Sequence, residues 1–211
     1  MKKELFSSDN WLATKFKTAN ELEKFFVSSK DKLINHKLDK IMIMGHLYND
    51  ALNYYDLING KWFMYDNNNN YVEINEDEVE FLKPDVVENA ILQLDEPIVL
   101  FFGENKLEIE YCEGSLAQIG LNTLSLNEIS AIEGKNSWKD VSSYFSKNII
   151  KQKLIDIEIR KTKEVYFPCF TFKREDGEDM YDEIIFVFEN GFKLEIAMDI
   201  ADYMSIAEIK L

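Results

Sequence analysis

Residues 95–109 read DEPIVLFFGENKLEI, and residues 182–196 read DEIIFVFENGFKLEI. At a constant offset of 87, Asp95, Glu96, Ile98 and Phe101 match Asp182, Glu183, Ile185 and Phe188, and Lys106-Leu107-Glu108-Ile109 match Lys193-Leu194-Glu195-Ile196. The first arm of each phrase is an unbroken apolar run, Ile98 to Phe102 and Ile184 to Phe188. A strand with one face in water would alternate, so each run predicts a strand covered on both faces. The second arm does alternate: Leu107, Ile109 and Tyr111 fall on one side and Lys106, Glu108 and Glu110 on the other, as Leu194, Ile196 and Met198 repeat. GEN and ENG between the arms are turn-forming, and each phrase predicts a β-hairpin.

A second echo lies upstream. HKLDKIMI (36–43) parallels QKLIDIEI (152–159) at an offset of 116, and both predict strands. Each follows a segment with helical spacing. The first runs from Asn20, as the capping residue, to about Ile34, with Leu22, Phe25 and Phe26 on its apolar side. The second runs from Ser137 to about Ile149, with Trp138, Val141, Tyr144 and Phe145 as its stripe. Helix, strand, hairpin is written twice, and the unequal offsets place about 29 further residues in the first copy. That insert (about 48–88) predicts a hairpin of its own, Lys61 to Tyr65 returning on Tyr71 to Ile74 through the asparagine-rich turn from Asp66 to Asn70. An acidic approach to Pro84 follows.

The expected class is therefore α+β: two similar helix–strand–hairpin halves of mostly antiparallel sheet, residues 1–130 with the insert and residues 131–211, related by internal duplication and packing as one unit or two. The rival reading is that two sheet edges of one domain use similar β-rich words.

Composition narrows the functions. A net charge of −15 would repel a nucleic-acid backbone, which needs clustered Lys and Arg, and argues equally against anionic membranes. A basic protein partner is compatible, although a charge of this size also serves solubility. No apolar run approaches the length of a membrane span, and residues 1–20 lack a signal-peptide core, so a cytoplasmic location is expected. Cys112 and Cys169 lie far apart in apolar settings and read as small buried hydrophobes.

Catalytic signatures are missing. His36 falls at a helix-to-strand junction and His46 just past a strand, with only Asp50 at a spacing that could orient it. Gly114-Ser115 lacks the second glycine of a nucleophile elbow, and the eight glycines are scattered singly, without a phosphate-binding loop. Asp66, Asn68, Asn70 and Asp77 fall at positions 1, 3, 5 and 12 of a calcium-loop count, but Tyr71 occupies the turn position that demands glycine and Asp77 the position of a bidentate glutamate. No catalytic residue, metal or cofactor is assigned. Asp176-Gly177 reads as another hairpin turn.

The run Glu73, Glu76, Asp77, Glu78, Glu80, Asp85, Glu88, interrupted only by Lys83, predicts a strongly negative region. It is either a solvated face or a docking patch, with Glu73, Glu76, Asp77, Glu78 and Glu80 as the partner-binding candidates. Trp11, Trp62 and the Tyr54-Tyr55 pair are less obviously internal than the other aromatics and are candidates for an interaction surface. The expectation that follows is a non-enzymatic interaction module with an acidic surface, of the kind an immunity-like or inhibitor-like binder presents to a basic partner. The alternative is a small-ligand protein or enzyme with its site in the crevice between the halves. Exposed strand edges in the hairpins would favour self-association.

Overall fold

A computed structural model describes residues 11–46, 56–59, 61–66, 68–75, 78, 85–87, 90–94, 97–112, 116–124, 132–133, 136–166, 171–172, 177–198 and 204–210. Within them the chain is mostly antiparallel sheet with one helix. In the larger sheet, β2 (Leu38–His46), β8 (Ile98–Phe102), β9 (Asn105–Cys112) and β10 (Leu116–Leu121) lie side by side in chain order. In the second sheet, β13 (Leu154–Thr162), β16 (Met180–Phe188), β17 (Phe192–Met198) and β18 (Met204–Lys210) do the same. Both quoted phrases are hairpins at the centres of their sheets.

Other strands extend the edges. β1 (Thr14–Phe16) lies outside β10, while β12 (Asn136–Asp140) and β11 (Ile132–Glu133) lie outside β2. In the second sheet, β7 (Ala90–Leu94) and β6 (Asp85–Val87) lie outside β18. Strands thus cross position 130 in both directions. The inserted hairpin is present as β4 (Lys61–Tyr65) and β5 (Tyr71–Ile74), joined by β3 (Asp56–Ile58) in a small sheet. A further pair is β14 (Val165–Tyr166) with β15 (Thr171–Phe172). Residues 173–176, including Asp176 of the expected turn, lie outside the described residues.

The two apolar runs are covered for different reasons. Ile98, Leu100 and Phe102 point into the main core with Ile184, Phe186 and Phe188, all fully buried. Val99 points the other way, into a second cluster with Trp11, Met42 and Leu124. Phe102 and Phe186 pack ring to ring across the sheets at 6.2 Å, and Phe26 of the helix meets Phe186 edge-on at 6.4 Å. Each such ring contributes about 1.5–3 kcal/mol by burial. Tyr181 ties the layers further: its hydroxyl donates to the Phe16 carbonyl (2.7 Å) and accepts from the Ala117 amide (2.6 Å).

Helix α1 (Ala19–Leu33) starts one residue earlier than expected, and its cap is Thr18 rather than Asn20. Thr18 Oγ1 accepts from the Glu21 amide while the Glu21 carboxylate accepts from the Thr18 amide, a reciprocal capping box. Leu22, Phe26 and Leu33 are buried on its inner face.

The second expected helix is not formed. Residues 136–140 are strand β12, 142–144 a single 3-10 turn, and 147–150 further turns. Val141, Phe145 and Ile149 are buried, so four-residue spacing was a true burial signal without an α-helix beneath it. Hydroxyls won the backbone here. Ser142 Oγ donates to Asp140 Oδ1 and accepts from the Ile41 amide (2.9 Å), and Ser146 Oγ donates to Glu208. Short polar side chains that bond locally in this way compete with helical hydrogen bonding.

The offset within the hairpins also needs correction. Leu38 pairs with Phe102 and Leu154 with Phe188, each followed by a one-residue bulge, at Asp39 and Ile155. Phe102 therefore corresponds to Phe188, an offset of 86 on the first arm, while Leu107 and Leu194 keep 87 on the second. The turns absorb the difference: Gly103-Glu104 in one hairpin, Glu189-Asn190-Gly191 in the other.

Where β2 and β13 begin, the chain bonds to itself reciprocally. The Asn35 amide donates to the Leu154 carbonyl (2.8 Å) and the Lys151 amide to the Leu38 carbonyl (2.7 Å). The Leu154 amide donates to His36 O (2.9 Å) and the Leu38 amide to Gln152 O (3.0 Å), on either side of a Lys37–Lys153 bridge. Asn35 and Lys151 are both left-handed, with φ of 67° and 70°. Every member has its counterpart 116 residues on.

Candidate functional site

The expected acidic patch is only partly within the described residues. Glu73 is exposed on β5 and paired with Lys61 Nζ at 2.8 Å. The Glu78 carboxylate accepts from the Asn75 amide (2.8 Å) and side chain (2.9 Å), holding its own turn. Glu76, Asp77 and Glu80 lie outside the described residues, as do Tyr54 and Tyr55. Asp66 is likewise a turn residue: its Oδ1 accepts from the Asn68 and Asn70 amides, and the Asn70 amide foremost holds its carboxyl below the usual range. Trp11 and Trp62 are buried, so neither supplies an interaction surface. His36 is half-buried at the helix-to-strand junction, and the side chains of His46 and Cys112 and all of Cys169 lie outside the description.

Carboxylates that sequence reasoning assigned to a polar face prove to be buried. Glu108 and Glu110 share the outer face of β9, where Trp11, Leu124, Met42 and Val99 also pack. Burial pushes the Glu108 carboxyl up, against hydrogen bonds from Thr123 Oγ1 (2.7 Å) and the Leu124 and Thr123 amides. Gly120 makes room for this cluster, since a Cβ there would lie 2.2 Å from Thr123 Oγ1 and 2.3 Å from Glu108 Oε2. Glu110 has no such bonds to its Oε2, and burial raises its pKa to about 7 against the pull of Lys15. On the outer face of the second sheet, Glu183 is raised to about 7 by burial and by Glu195, against Arg160, which pairs with both. The Glu108–Glu110 site and the Glu183 site are on separate sheets.

A groove of about 460 Å³ lies between α1 and β13. Phe26, Ile34, Ile157 and Ile159 give it an apolar floor, and Val27, 74% exposed, stands at its mouth. Glu23, Asp156 and Glu158 line it against one cation, Lys30. Glu23 is bound by Lys161 (2.9 Å) and Glu158 by Lys193 (2.8 Å), whereas Asp156 has no ion pair among the described residues. Its Oδ1 instead accepts from the Ile157 amide at 2.9 Å. β13 is the last strand of its sheet. A second hollow, of about 670 Å³, lies over the turns of residues 142–152, formed by one segment and lined by Lys147 and Lys151 without a carboxylate.

Nothing in the spacing of residues 23–34 or 156–159 announces the groove; the one legible hint is Val27, an apolar residue beside rather than on the buried stripe of α1. Comparison with known proteins returns no match to any family model, curated protein or solved structure. Among the described residues no group of three or more His, Cys, Asp or Glu could hold a metal ion, and no helix is long and apolar enough to cross a membrane.

Proposed function

We propose that this chain is a non-enzymatic interaction module that presents an acidic surface to a basic macromolecular partner. The observation that carries the reading is the groove between α1 and β13: an apolar floor and an exposed valine rimmed by three carboxylates and one lysine, on a chain of net charge −15. Apolar contact there would supply affinity and the rim would supply steering. The exposed carboxylates of Glu73 and Glu78 add to the negative charge of the chain. Capture of partners on the immobilised chain at about 50 mM and about 500 mM salt tests it, since screening weakens exposed charge pairs. A salt-sensitive basic partner is the expected result; no specific partner at low salt would refute the reading.

The second reading, a small-ligand site in the crevice between the copies, is supported by the groove volume, which falls in the range of about 300–1,000 Å³ common to such sites. A thermal-shift screen against metabolites separates the two, because a ligand bound only by the folded chain raises the midpoint.

We also read the two sheets as repeats of one ancestral unit. The reciprocal bonds at Lys37 and Lys153, the two left-handed residues 35 and 151, and the shared bulges after Leu38 and Leu154 support this. Such contacts are what a self-complementary twofold interface between identical units would leave after fusion.

A further inference from the structure

The edge of β2 is satisfied by the chain itself. Val141 donates its amide to the Ile41 carbonyl (3.0 Å), the Ile41 amide donates to Ser142 Oγ (2.9 Å), and β12 continues alongside to His46. The corresponding edge of β13 has no strand upon it among the described residues. In an antiparallel pair, opposed residues exchange both backbone bonds or neither. The Ile157 amide goes to Asp156 rather than to Phe186 opposite, so by the alternation of the ladder the Ile157 and Ile159 carbonyls point away from β16, to the open side of β13. These carbonyls border the groove whose floor is Phe26, Ile34, Ile157 and Ile159.

We infer that the groove binds an extended peptide segment of a partner, laid antiparallel along β13 as an added strand, with alternate apolar side chains on the floor and lysine or arginine residues meeting Asp156. The inference rests on the interaction reading above and gives it a place. Backbone bonds to an open edge give such complexes affinity, and flanking pockets read alternate side chains. Charge complementarity selects the occupant: among the described residues Asp156 is the rim carboxylate without a cation, and the lining holds three carboxylates against one ammonium. A basic strand would also complete the Ile157 amide, freeing Asp156 Oδ1 for a salt bridge.

The test uses the full chain and a labelled peptide of about six residues alternating valine and lysine, with a valine–glutamate counterpart, followed by fluorescence anisotropy. The lysine peptide should bind and the glutamate peptide should not. Val27→Lys, at the exposed mouth, should weaken binding about tenfold or more, while Leu12→Lys, the same charge change at another exposed site, should leave it within about twofold. N-methylation of the peptide amides that face β13 should abolish binding, and methylation of the alternate amides should not. Circular dichroism confirms that both variants fold. No binding, equal loss in the two variants, or indifference to the methylation pattern would overturn the inference. A captured protein partner that binds Val27→Lys as well as the unmodified chain would leave the interaction reading standing and the groove assignment refuted.

Discussion

The first sheet closes its β2 edge with a strand, and the second covers its β13 edge with a helix. Residues 136–150 pair with β2, then turn, and bury Val141, Phe145 and Ile149. Residues 19–33, which the proposed repeat would match to them, form α1 and lie beside β13, leaving the groove. A strand on an edge satisfies amides and carbonyls, whereas a helix shields an edge without bonding to it. The same apolar spacing therefore yields a sealed edge on one side and an open one on the other. What decides between them is polar chemistry: a complete Thr18–Glu21 capping box in one segment, and Ser142 and Ser146 hydroxyls bonding away from any helix in the other.

The largest effect should come from what the two sheets share. Phe186→Ala removes a fully buried ring that touches both Phe26 and Phe102, and should cost about 3–5 kcal/mol in chemical denaturation. One cooperative transition in the variant would mean that the sheets unfold together; two would divide them. Gly120→Ala addresses the outer faces. At Ala207 a methyl group stands opposite Glu195, but at Gly120 it would collide with Thr123 and Glu108, so a loss of about 1–3 kcal/mol is expected from the denaturation midpoint.

The two edges can be compared directly. Ser142→Ala leaves the Ile41 amide without its acceptor and should cost about 1–2 kcal/mol, and Thr18→Ala, which removes the helix cap, about 1 kcal/mol. If Ser142→Ala proved neutral, the hydroxyl explanation for the missing helix would fail.

A further comparison is one of pH. Glu110 titrates at about 7 in the folded chain against an ordinary value of 4.5. Between these values the unfolded chain has lost its proton and the folded chain has not, so stability falls as pH rises and the loss is complete above about 7. Glu110→Gln should raise the melting midpoint relative to the unmodified chain at pH 8 and leave it little changed at pH 4. Glu183, raised in the same direction, should preserve part of the slope, and Glu110→Gln with an unaltered pH profile would contradict the buried placement of that carboxyl.

Much of the architecture was legible in residues 95–109 and 182–196. An unbroken apolar run, a turn and an alternating arm dictate a hairpin whatever surrounds it, because side chains alternate along a strand and turn residues are conformationally selective. The inserted hairpin from Lys61 to Ile74 was legible on the same grounds. Less so were the elements whose form depends on a neighbour. Of the stripe Trp138, Val141, Tyr144, Phe145, only Val141 and Phe145 are buried and Tyr144 is exposed, and whether those residues coil or pair depends on the edge of β2, about a hundred positions away. Glu108 and Glu110 alternate as solvent-facing residues should, and only the packing of other segments on that face buries them.

The groove belongs wholly to the second category. Periodicity determines which side chains of α1 and β13 turn inward, since it follows from local backbone geometry. The spacing between those elements and the absence of a cation beside Asp156 among the described residues come from how separate segments pack, and packing is a property of contacts that no short stretch of sequence contains.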